Sequence, residues 1–426
     1  MSDTLATIRG LGTVQQLQQA ASKGLAPAAA PKSNSHIHLP PNFSAFKDVE
    51  QAVSLATAQD VRVLGLSNYY DYRVYCDFVA ACRRANIFPT FGLEIIALDE
   101  PMAAAGIKVN DPGNPGRFYI CGKGITKFDP MDPVAGDIIN TIRRNDAQRM
   151  REMIGKIAAI FARAGVDLHL GEQDVIAMVV QRHGCAADAV TLQERHVCQA
   201  FQEAFFAHTQ AHERAALLEK IFGAACKAKP DDAVGVQGEI RTHLMKAGKP
   251  AFVTETFVSF AEAYRLILAL GGIPCYPTLA DGANPICQYE QPVETLIQNC
   301  RDRNIHMAEL IPIRNEPDVF ARYVTAYRKA GIPVVAGTEH NTLDLIGMWP
   351  TCKGGKAMPA EVLDILWEGT CVMAGHQFLA SHGRAGYVDA AGKPNAGYAD
   401  AEARITAFAS LGAAVIELYF RSGTGR

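Results

Sequence analysis

The sequence predicts an α/β barrel that is interrupted by a helical insertion. Strand-like and helix-like segments alternate over residues 33–132 and again over 249–373, while 133–248 contains long helical stretches and few strand signals. Alternating strands and helices call for a parallel sheet, which closes most economically as a barrel. Polar residues typical of metal sites also stand where several of these strands end.

The composition is that of an ordinary globular protein. The 426 residues are 49% hydrophobic and 20% charged with a net charge of −3, which favours neither a nucleic-acid nor a membrane partner. We expect no signal peptide, and no run of the sequence approaches the roughly 18 apolar residues of a membrane span. The 11 cysteines include no C-x-x-C pair. They are typical of buried, reduced thiols, and we expect a cytoplasmic protein.

The first part of the barrel follows an N-terminal helix and linker that occupy residues 1–32. Residues 33–132 alternate between short apolar runs and segments of helical periodicity. Strands are predicted near 34–39, 61–66, 87–96 and 117–121, and helices at 48–59 and 72–85.

The second part of the barrel is predicted to follow the insertion. A short strand is expected at 251–253. Further strands are predicted at 272–276, 306–311 and 332–337, and helices at 259–270, 293–304 and 317–330. Residues 374–426 form a C-terminal extension with a helix near 399–411 and an apolar run at 413–420.

The first strand ends in the motif S-N-S-H-I-H-L-P-P. His36 and His38 are two residues apart, so an extended strand points both imidazoles to one face. The prolines that follow end the strand, and ligands of α/β proteins bind at the carboxyl ends of strands. The pair can grip a divalent metal, or it can be an ordinary surface or hydrogen-bonded pair.

Other strand ends carry further candidates. Glu94 interrupts the apolar run F-G-L-E-I-I, and Glu339 with His340 follows the strand I-P-V-V-A-G. A buried carboxylate is costly unless it forms an ion pair or binds a metal, and the ion pair remains the alternative. If they converge with His36 and His38, the carboxylates complete a four-ligand site for Zn²⁺, Mn²⁺ or Fe²⁺.

Motifs at these strand ends resemble those of the PHP (polymerase and histidinol phosphatase) superfamily, in particular its metal-dependent phosphoesterase branch with a helical insertion. The resemblance covers roughly residues 33–345. H-x-H matches His36 and His38, and G-x-E matches Gly92-Leu93-Glu94. T-D-H aligns with Ser67-Asn68-Tyr69, A-H-P with Cys275-Tyr276-Pro277, and G-S-D-x-H with Gly337-Thr338-Glu339-His340-Asn341. The resemblance implies a distorted (β/α)7 TIM-like barrel with up to three metals at its C-terminal face.

The departures from the family pattern imply a reduced metal site. The ligands of one metal are present as His36, His38, Glu94 and Glu339. Positions of further ligands hold Tyr69, Tyr119, Tyr276 and Asn341. Because a phenol has a pKa near ~10, tyrosine is a poor ligand for Zn²⁺ or Mn²⁺. We therefore expect one ion, with Asn68, Tyr69, Tyr119 and Tyr276 facing the substrate as hydrogen-bond donors or as filling for the vacated volume.

Three further residues receive roles by the same resemblance. His340 could be a metal ligand or an acid/base, and Arg195 with His196 aligns with the R-x-H of the family's insertion. We expect these three to orient an anionic group of the substrate.

The resulting prediction is a metal-dependent hydrolase that acts as a phosphoesterase on a small phosphorylated metabolite. Two alternatives stay open: a barrel that binds a ligand without turning it over, and a lyase or carbonyl-directed hydrolase that uses one metal as a Lewis acid. The expected partner is a small anionic substrate, with no nucleic acid and no membrane, and a homo-oligomer stays open.

Overall fold

The computed structural model describes residues 4–423 and divides into two compact units. A helical unit contains Pro40–Lys47 and Asn140–Phe257, and a barrel unit contains the rest of the described chain. The helical unit was predicted as residues 133–248. In the structure it extends to residue 257 and takes in the short segment that follows the first strand.

The barrel unit is built on one sheet. Its strands are β1 (Lys32–Ile37), β2 (Val61–Leu66), β3 (Phe88–Leu98), β4 (Arg117–Lys123), β5 (Val258–Ser259), β6 (Ile273–Thr278), β7 (Met307–Leu310) and β8 (Val334–Ala336). Seven of them follow the order β1-β2-β3-β4-β6-β7-β8, while β5 adds a short parallel pairing to β3. The predicted barrel is confirmed.

The two ends of this sheet meet. Beyond β8, Glu339 forms a parallel bridge with Ile37, and the backbone N–H of His38 donates to the Glu339 carbonyl at 2.9 Å. The sheet is therefore a nearly closed seven-stranded barrel. It is not wholly parallel, because β4 runs antiparallel to both β3 and β6.

Fifteen helices accompany the strands within the described residues. They are α1 (Ala6–Arg9), α2 (Val14–Ser22), α3 (Val49–Ala58), α4 (Val74–Ala85), α5 (Glu100–Ala104), α6 (Pro133–Arg163), α7 (Glu172–His183), α8 (Glu194–His208), α9 (Arg214–Phe222), α10 (Ala233–Ile240), α11 (Phe260–Ala269), α12 (Val293–Asp302), α13 (Pro317–Lys329), α14 (Ala360–Ser381) and α15 (Ala401–Gly423). The helix α6 crosses the division between the units.

Local sequence explains where several helices begin. Asp48 caps α3 by accepting a hydrogen bond from the backbone N–H of Gln51 at 2.9 Å. A reciprocal capping box between Ser259 and Glu262 opens α11. Both arrangements satisfy N–H groups that a helix N-terminus leaves without a partner.

The C-terminal helices are part of the barrel unit. The long helix α14 lies against β8, β1 and β3, and α15 packs on α14 and α2. Close contact depends on glycine: a Cβ added at Gly369 would lie 2.0 Å from the carbonyl oxygen of Val334, and one at Gly412 would lie 1.8 Å from that of Cys371. Since α14 spans residues 360–381, it crosses the predicted start of a C-terminal extension at residue 374 without a break.

Some predicted elements were wrong. The single helix predicted within residues 1–32 is two helices, α1 and α2. Residues 251–253 form no strand, and the strand nearest to them within the described chain is β5. Helix α14 was not predicted, and the predicted helix and apolar run near the C-terminus are one continuous helix, α15.

The helical unit has its own hydrophobic core. Buried apolar side chains of α6, α7, α8, α9 and α10 form one cluster that includes Ile157, Phe161, Val175 and Phe201. This unit also contains a partly buried ion network, in which Arg149 pairs with Glu194 at 2.5 Å and with Glu255 at 3.3 Å.

By length and composition alone, α15 could cross a membrane, with a mean hydropathy of 1.3 over its most apolar stretch. Half of that stretch is buried within the protein, as in the core helices of soluble proteins.

Candidate metal centre

Three side chains meet near the carboxyl end of β1, two of them from His36 and His38 and the third from Glu94, which lies within β3. The Nε2 atoms of His36 and His38 are 3.2 Å apart, and Glu94 Oε2 lies 3.1 Å from His38 Nε2 and 3.6 Å from His36 Nε2. All three residues are buried. The sequence separates the histidine pair from Glu94 by more than fifty residues, and the barrel brings them together.

The strands determine which groups lie beside these ligands. In β3, Glu94 pairs with Cys121 of β4, and β1 carries an irregularity between Asn34 and Ile37. This irregularity disturbs the alternation of side chains, so that Ser35 and His36 both reach the same carboxylate, that of Glu309.

The donor set fits a divalent metal. Ligands of a tetrahedral zinc ion, at bond lengths of roughly 2.0 to 2.1 Å, stand about 3.3 to 3.4 Å apart, close to the three separations here. Within residues 4–423, Glu94 Oε2 is buried and receives no hydrogen bond of normal geometry. Two histidines and one carboxylate are also a common set for Fe²⁺ and Mn²⁺.

The electrostatics of the cluster favour a cation among the three atoms. Burial alone would raise the pKa of Glu94, but the two imidazoles outweigh burial and hold this pKa well below its usual range. Burial would lower the pKa of His36, whereas Glu309 raises it to about 9 against the opposing charge of Lys123. Burial lowers the pKa of His38. The negative carboxylates thus attract positive charge to this position.

An aromatic ring lies against the cluster. The ring of Tyr69 stacks on His38, with centroids 5.0 Å apart and planes 2° from parallel. Burial raises the pKa of Tyr69 well above its usual value, and Glu94, Tyr119 and Glu339 raise it further. Its phenol therefore stays protonated and can act as a hydrogen-bond donor.

Glu339 does not join the three ligands. The described residues contain two groups of potential metal ligands, His36–His38–Glu94 and His36–Cys121–Glu309, and Glu339 belongs to neither. Its carboxylate instead forms an ion pair with Arg314 and accepts a hydrogen bond from Asn341 at 2.7 Å. The backbone of Glu339 has φ 61°, in the left-handed region that non-glycine residues rarely adopt.

Two solved structures share this fold. One is a candidate metal-dependent phosphoesterase from Bifidobacterium adolescentis, with a TM-score of 0.50 and 16% identity over 80% of this chain and 96% of that one. The other is an amidohydrolase from Chromobacterium violaceum with bound sulfate and no metal. Its TM-score is 0.52, with 14% identity over 79% of this chain and 96% of that one. At these identities the likeness extends to the fold alone. No protein-family model and no curated protein matches the chain.

Both ring nitrogens of His340 contact residues at or after the end of β8. Its Nδ1 lies 2.7 Å from Thr338 Oγ1, and its Nε2 lies 3.0 Å from the Ile346 carbonyl oxygen. Burial lowers its pKa to about 4. Because both ring nitrogens are engaged with the loop that follows β8, His340 holds that loop in place.

The side chains of Asn68 and Tyr276 form hydrogen bonds with other groups of the barrel unit. Asn68 is fully buried and exchanges two hydrogen bonds with the backbone of Leu39, at 2.8 and 2.9 Å. Tyr276 is fully buried, and its phenol donates to Glu290 at 2.8 Å. The preceding residue on β6, Cys275, lies close enough to Glu309 and Lys123 for their charges to shift its pKa. Because successive side chains of a strand point to opposite faces, Tyr276 points away from these two residues.

Arg195 and His196 belong to the helical unit. His196 is buried at the start of α8, where its Nδ1 accepts a hydrogen bond from the Gln193 N–H at 3.0 Å. Its ring packs against that of Phe43, with the ring centroids 5.3 Å apart and the planes at 70°. Burial lowers the pKa of His196 to about 3, and the charges of His183 and Arg182 act in the same direction. These contacts make His196 a capping and core residue of that unit.

Sequence reasoning missed three charged residues of the barrel: Lys123, Glu309 and Arg314. Glu309 lies in the apolar strand M-A-E-L and is fully buried, so it carried the same signal that pointed to Glu94. Lys123 is fully buried at the end of β4. Arg314 ends a short 3-10 helix after β7, Pro312–Arg314, where no sequence pattern distinguishes it from a surface residue.

Proposed function

We propose that this protein is a metal-dependent hydrolase of the PHP type that uses one divalent ion held by His36, His38 and Glu94. The observation that carries the proposal is the convergence of three buried ligand atoms within 3.1 to 3.6 Å of one another. A zinc, manganese or iron ion bound there would supply Lewis-acid chemistry, polarising a phosphoryl or carbonyl oxygen and lowering the pKa of water.

The surroundings favour a single ion. Glu339, the fourth expected ligand, is neutralised by the guanidinium of Arg314, and Asn341 also donates to it. Tyr69 keeps its proton because its pKa is raised by burial and by nearby carboxylates. A second divalent ion beside these groups would have to displace an arginine or deprotonate a phenol.

Arg314 supports an anionic substrate. Its side chain is 39% exposed while its partner Glu339 is 8% exposed, so part of the guanidinium remains open to solvent. A guanidinium has five N–H donors, and the pair with Glu339 leaves several of them for a phosphate or carboxylate. The phenols of Tyr69 and Tyr119 would donate further hydrogen bonds to the same substrate.

The single ion also favours a second candidate, a lyase or carbonyl-directed hydrolase. Enzymes with two-metal sites use one ion for the attacking oxygen and the other for the leaving oxygen of a phosphoester. A site with one ion lacks the second of these functions unless Arg314 performs it. The same three ligands would serve a reaction in which only one oxygen needs to be polarised.

The test joins metal analysis to a substrate screen. The purified protein is expected to bind one equivalent of Zn²⁺ or Mn²⁺ and to hydrolyse at least one phosphoester in a panel of phosphorylated metabolites. His36→Ala should lose both properties, whereas His306→Ala, which removes a histidine outside the cluster, should retain both.

The outcomes separate the candidates. Turnover of amide, lactone or other carbonyl substrates without phosphoester hydrolysis would support the second candidate. Tight binding of one ion with no turnover would indicate a ligand-binding barrel. A protein that binds no divalent metal at micromolar concentration would overturn all three.

A further inference from the structure

A buried ion pair lies directly behind the candidate metal ligands. Lys123 Nζ is 2.6 Å from Glu309 Oε1, and both side chains are 0% exposed. The other carboxylate oxygen, Oε2, is 2.7 Å from His36 Nδ1. The three residues form a continuous chain from the barrel interior to the metal cluster.

Every polar side-chain atom of Lys123, Glu309 and His36 has a hydrogen-bond or ion-pair partner. Lys123 Nζ also donates to the Ser35 carbonyl at 3.1 Å and to Ser67 Oγ at 3.2 Å. Glu309 Oε1 also receives a hydrogen bond from Ser35 Oγ at 2.7 Å. Oε1 is thus occupied by two donors, and Oε2 is directed to His36 alone.

A buried ion pair is a weak source of stability, because the loss of hydration of two charges offsets their attraction. Stability therefore does not explain why two charges are buried here. Their position beside His36 does, because metal-binding histidines commonly donate their second ring N–H to a carboxylate. That hydrogen bond fixes the tautomer and the orientation of the ring.

We propose that Glu309 and Lys123 are positioning residues that hold His36 as the Nδ1–H tautomer with its Nε2 lone pair directed at the metal. The inference rests on the proposed function, since it concerns a ligand of the same ion. Lys123 acts through Glu309: by occupying Oε1 it fixes the carboxylate, so that Oε2 must accept from the imidazole and Glu309 does not itself bind the ion.

This arrangement predicts an unusual effect of Glu309→Gln. Lys123 and Ser35 would draw the carbonyl oxygen of the introduced glutamine to the Oε1 position, since both can donate there. Its NH₂ group would then face His36 Nδ1 and donate to it. The proton of the neutral imidazole would move to Nε2, which removes the lone pair that binds metal.

Removal of the ammonium should reverse that effect. In the double variant Lys123→Met with Glu309→Gln, the NH₂ group can donate to Ser35 Oγ, which is also 2.9 Å from the Ala336 carbonyl and can donate to it. The amide oxygen is then free to accept from His36 Nδ1–H. The second substitution should therefore restore part of the affinity that the first one removes.

The experiment measures Zn²⁺ affinity by competition with a chromophoric chelator, for full-length protein at constant pH. Relative to wild type, Glu309→Gln should bind Zn²⁺ roughly 10- to 100-fold more weakly. Lys123→Met with Glu309→Gln should bind more tightly than the single variant. Lys123→Met with Glu309→Met, which offers no acceptor to His36, should bind roughly 10- to 100-fold more weakly than the other double variant.

Glu290→Gln is the matched control. Glu290 is another fully buried carboxylate of the barrel unit, and it accepts hydrogen bonds from Tyr276 and from the backbone N–H groups of Leu279 and Ala280. It lies outside the metal cluster, so its substitution should lower thermal stability and leave Zn²⁺ affinity within twofold of wild type.

The two double variants decide the matter even if Glu309→Gln does not fold, because neither leaves a buried charge at position 123 or 309. Equal Zn²⁺ affinity in the two double variants would overturn the positioning role. So would a single variant that folds and binds as tightly as wild type. If the wild-type protein binds no Zn²⁺, the proposed function is wrong. If the wild-type protein binds Zn²⁺ and the two double variants bind it equally well, only the positioning role is wrong.

Discussion

A prediction about acid stability follows from His376, a buried residue of α14. Its Nδ1 accepts a hydrogen bond from the Tyr387 N–H at 2.9 Å, and its Nε2 lies 2.9 Å from the Gly271 carbonyl oxygen, to which it donates. Both nitrogens are satisfied only in the neutral ring. A proton added at Nδ1 would point at the N–H of Tyr387, and the ring is 2% exposed, so water cannot replace the lost bond.

The magnitude follows from the pKa. Burial lowers the pKa of His376 from 6.5 to about 4, although the hydrogen bond to Gly271 opposes this change. Between these two values the unfolded chain binds a proton that the native protein does not bind, so the free energy of unfolding falls as the pH falls. At about 1.4 kcal/mol for each pH unit, the loss from this residue reaches roughly 2.5 kcal/mol at pH 4.5.

The assay compares wild type with His376→Asn by urea unfolding at pH 7.0 and pH 4.5. The asparagine oxygen can still accept from Tyr387, but the side chain cannot titrate. The variant should be less stable than wild type at pH 7.0, and the difference should shrink by about 2 to 3 kcal/mol at pH 4.5.

The comparison cancels the other acid-sensitive groups because they are present in both proteins. His169→Asn, at a side chain that is 83% exposed, serves as the control and should follow wild type at both pH values. A difference between wild type and His376→Asn that stays constant within about 0.5 kcal/mol would refute the assignment of a neutral, doubly hydrogen-bonded ring.

Four further predictions concern the metal site and the helices of the two units. Glu94→Gln should reduce the bound metal from one equivalent to a small fraction by elemental analysis, because a neutral amide is a weak ligand; unchanged metal content would remove Glu94 from the ligand set. Arg314→Met should lower kcat/KM for an anionic substrate roughly 10- to 100-fold, with Arg314→Lys intermediate, and equal rates in all three proteins would exclude an anion-binding role. Gly369→Ala should lower the free energy of unfolding by at least about 2 kcal/mol, because its Cβ would lie 2.0 Å from the Val334 carbonyl oxygen. Gly155→Ala, in open space on α6, should instead raise stability by about 0.5 to 1 kcal/mol in the same urea assay.

The barrel could be predicted because its strands and helices have distinct hydrophobic periods. Helix α14 could not, for a physical reason: residues 369–379 are all buried, between the sheet and α15, so this half of the helix has no exposed polar face. The direction of β4 was equally hidden, because a short apolar strand reads the same in a parallel and an antiparallel pair. Its antiparallel course became visible only through its pairing with β3 and β6.

The metal cluster was predictable in part because strand ends give a position along the barrel axis. They do not give the direction of a side chain, which depends on register. Tyr276 follows the inward-facing Cys275 by one residue and therefore points away from the barrel interior, although it lies on the right strand. An alignment of motifs cannot detect this difference unless it also records which side chains of the strand point into the barrel.

Glu339 illustrates a second kind of information that the local sequence lacks. Glu339 follows β8, as predicted, but Arg314, which is 25 residues earlier in the chain, forms an ion pair with its carboxylate. A carboxylate that forms an ion pair with a guanidinium has little remaining attraction for a divalent ion, whereas Glu94 Oε2 lies 3.1 and 3.6 Å from the Nε2 atoms of two imidazoles. The number of ions that the site can hold therefore depends on where the barrel places its own cations, and Arg314 and Lys123 are two of them.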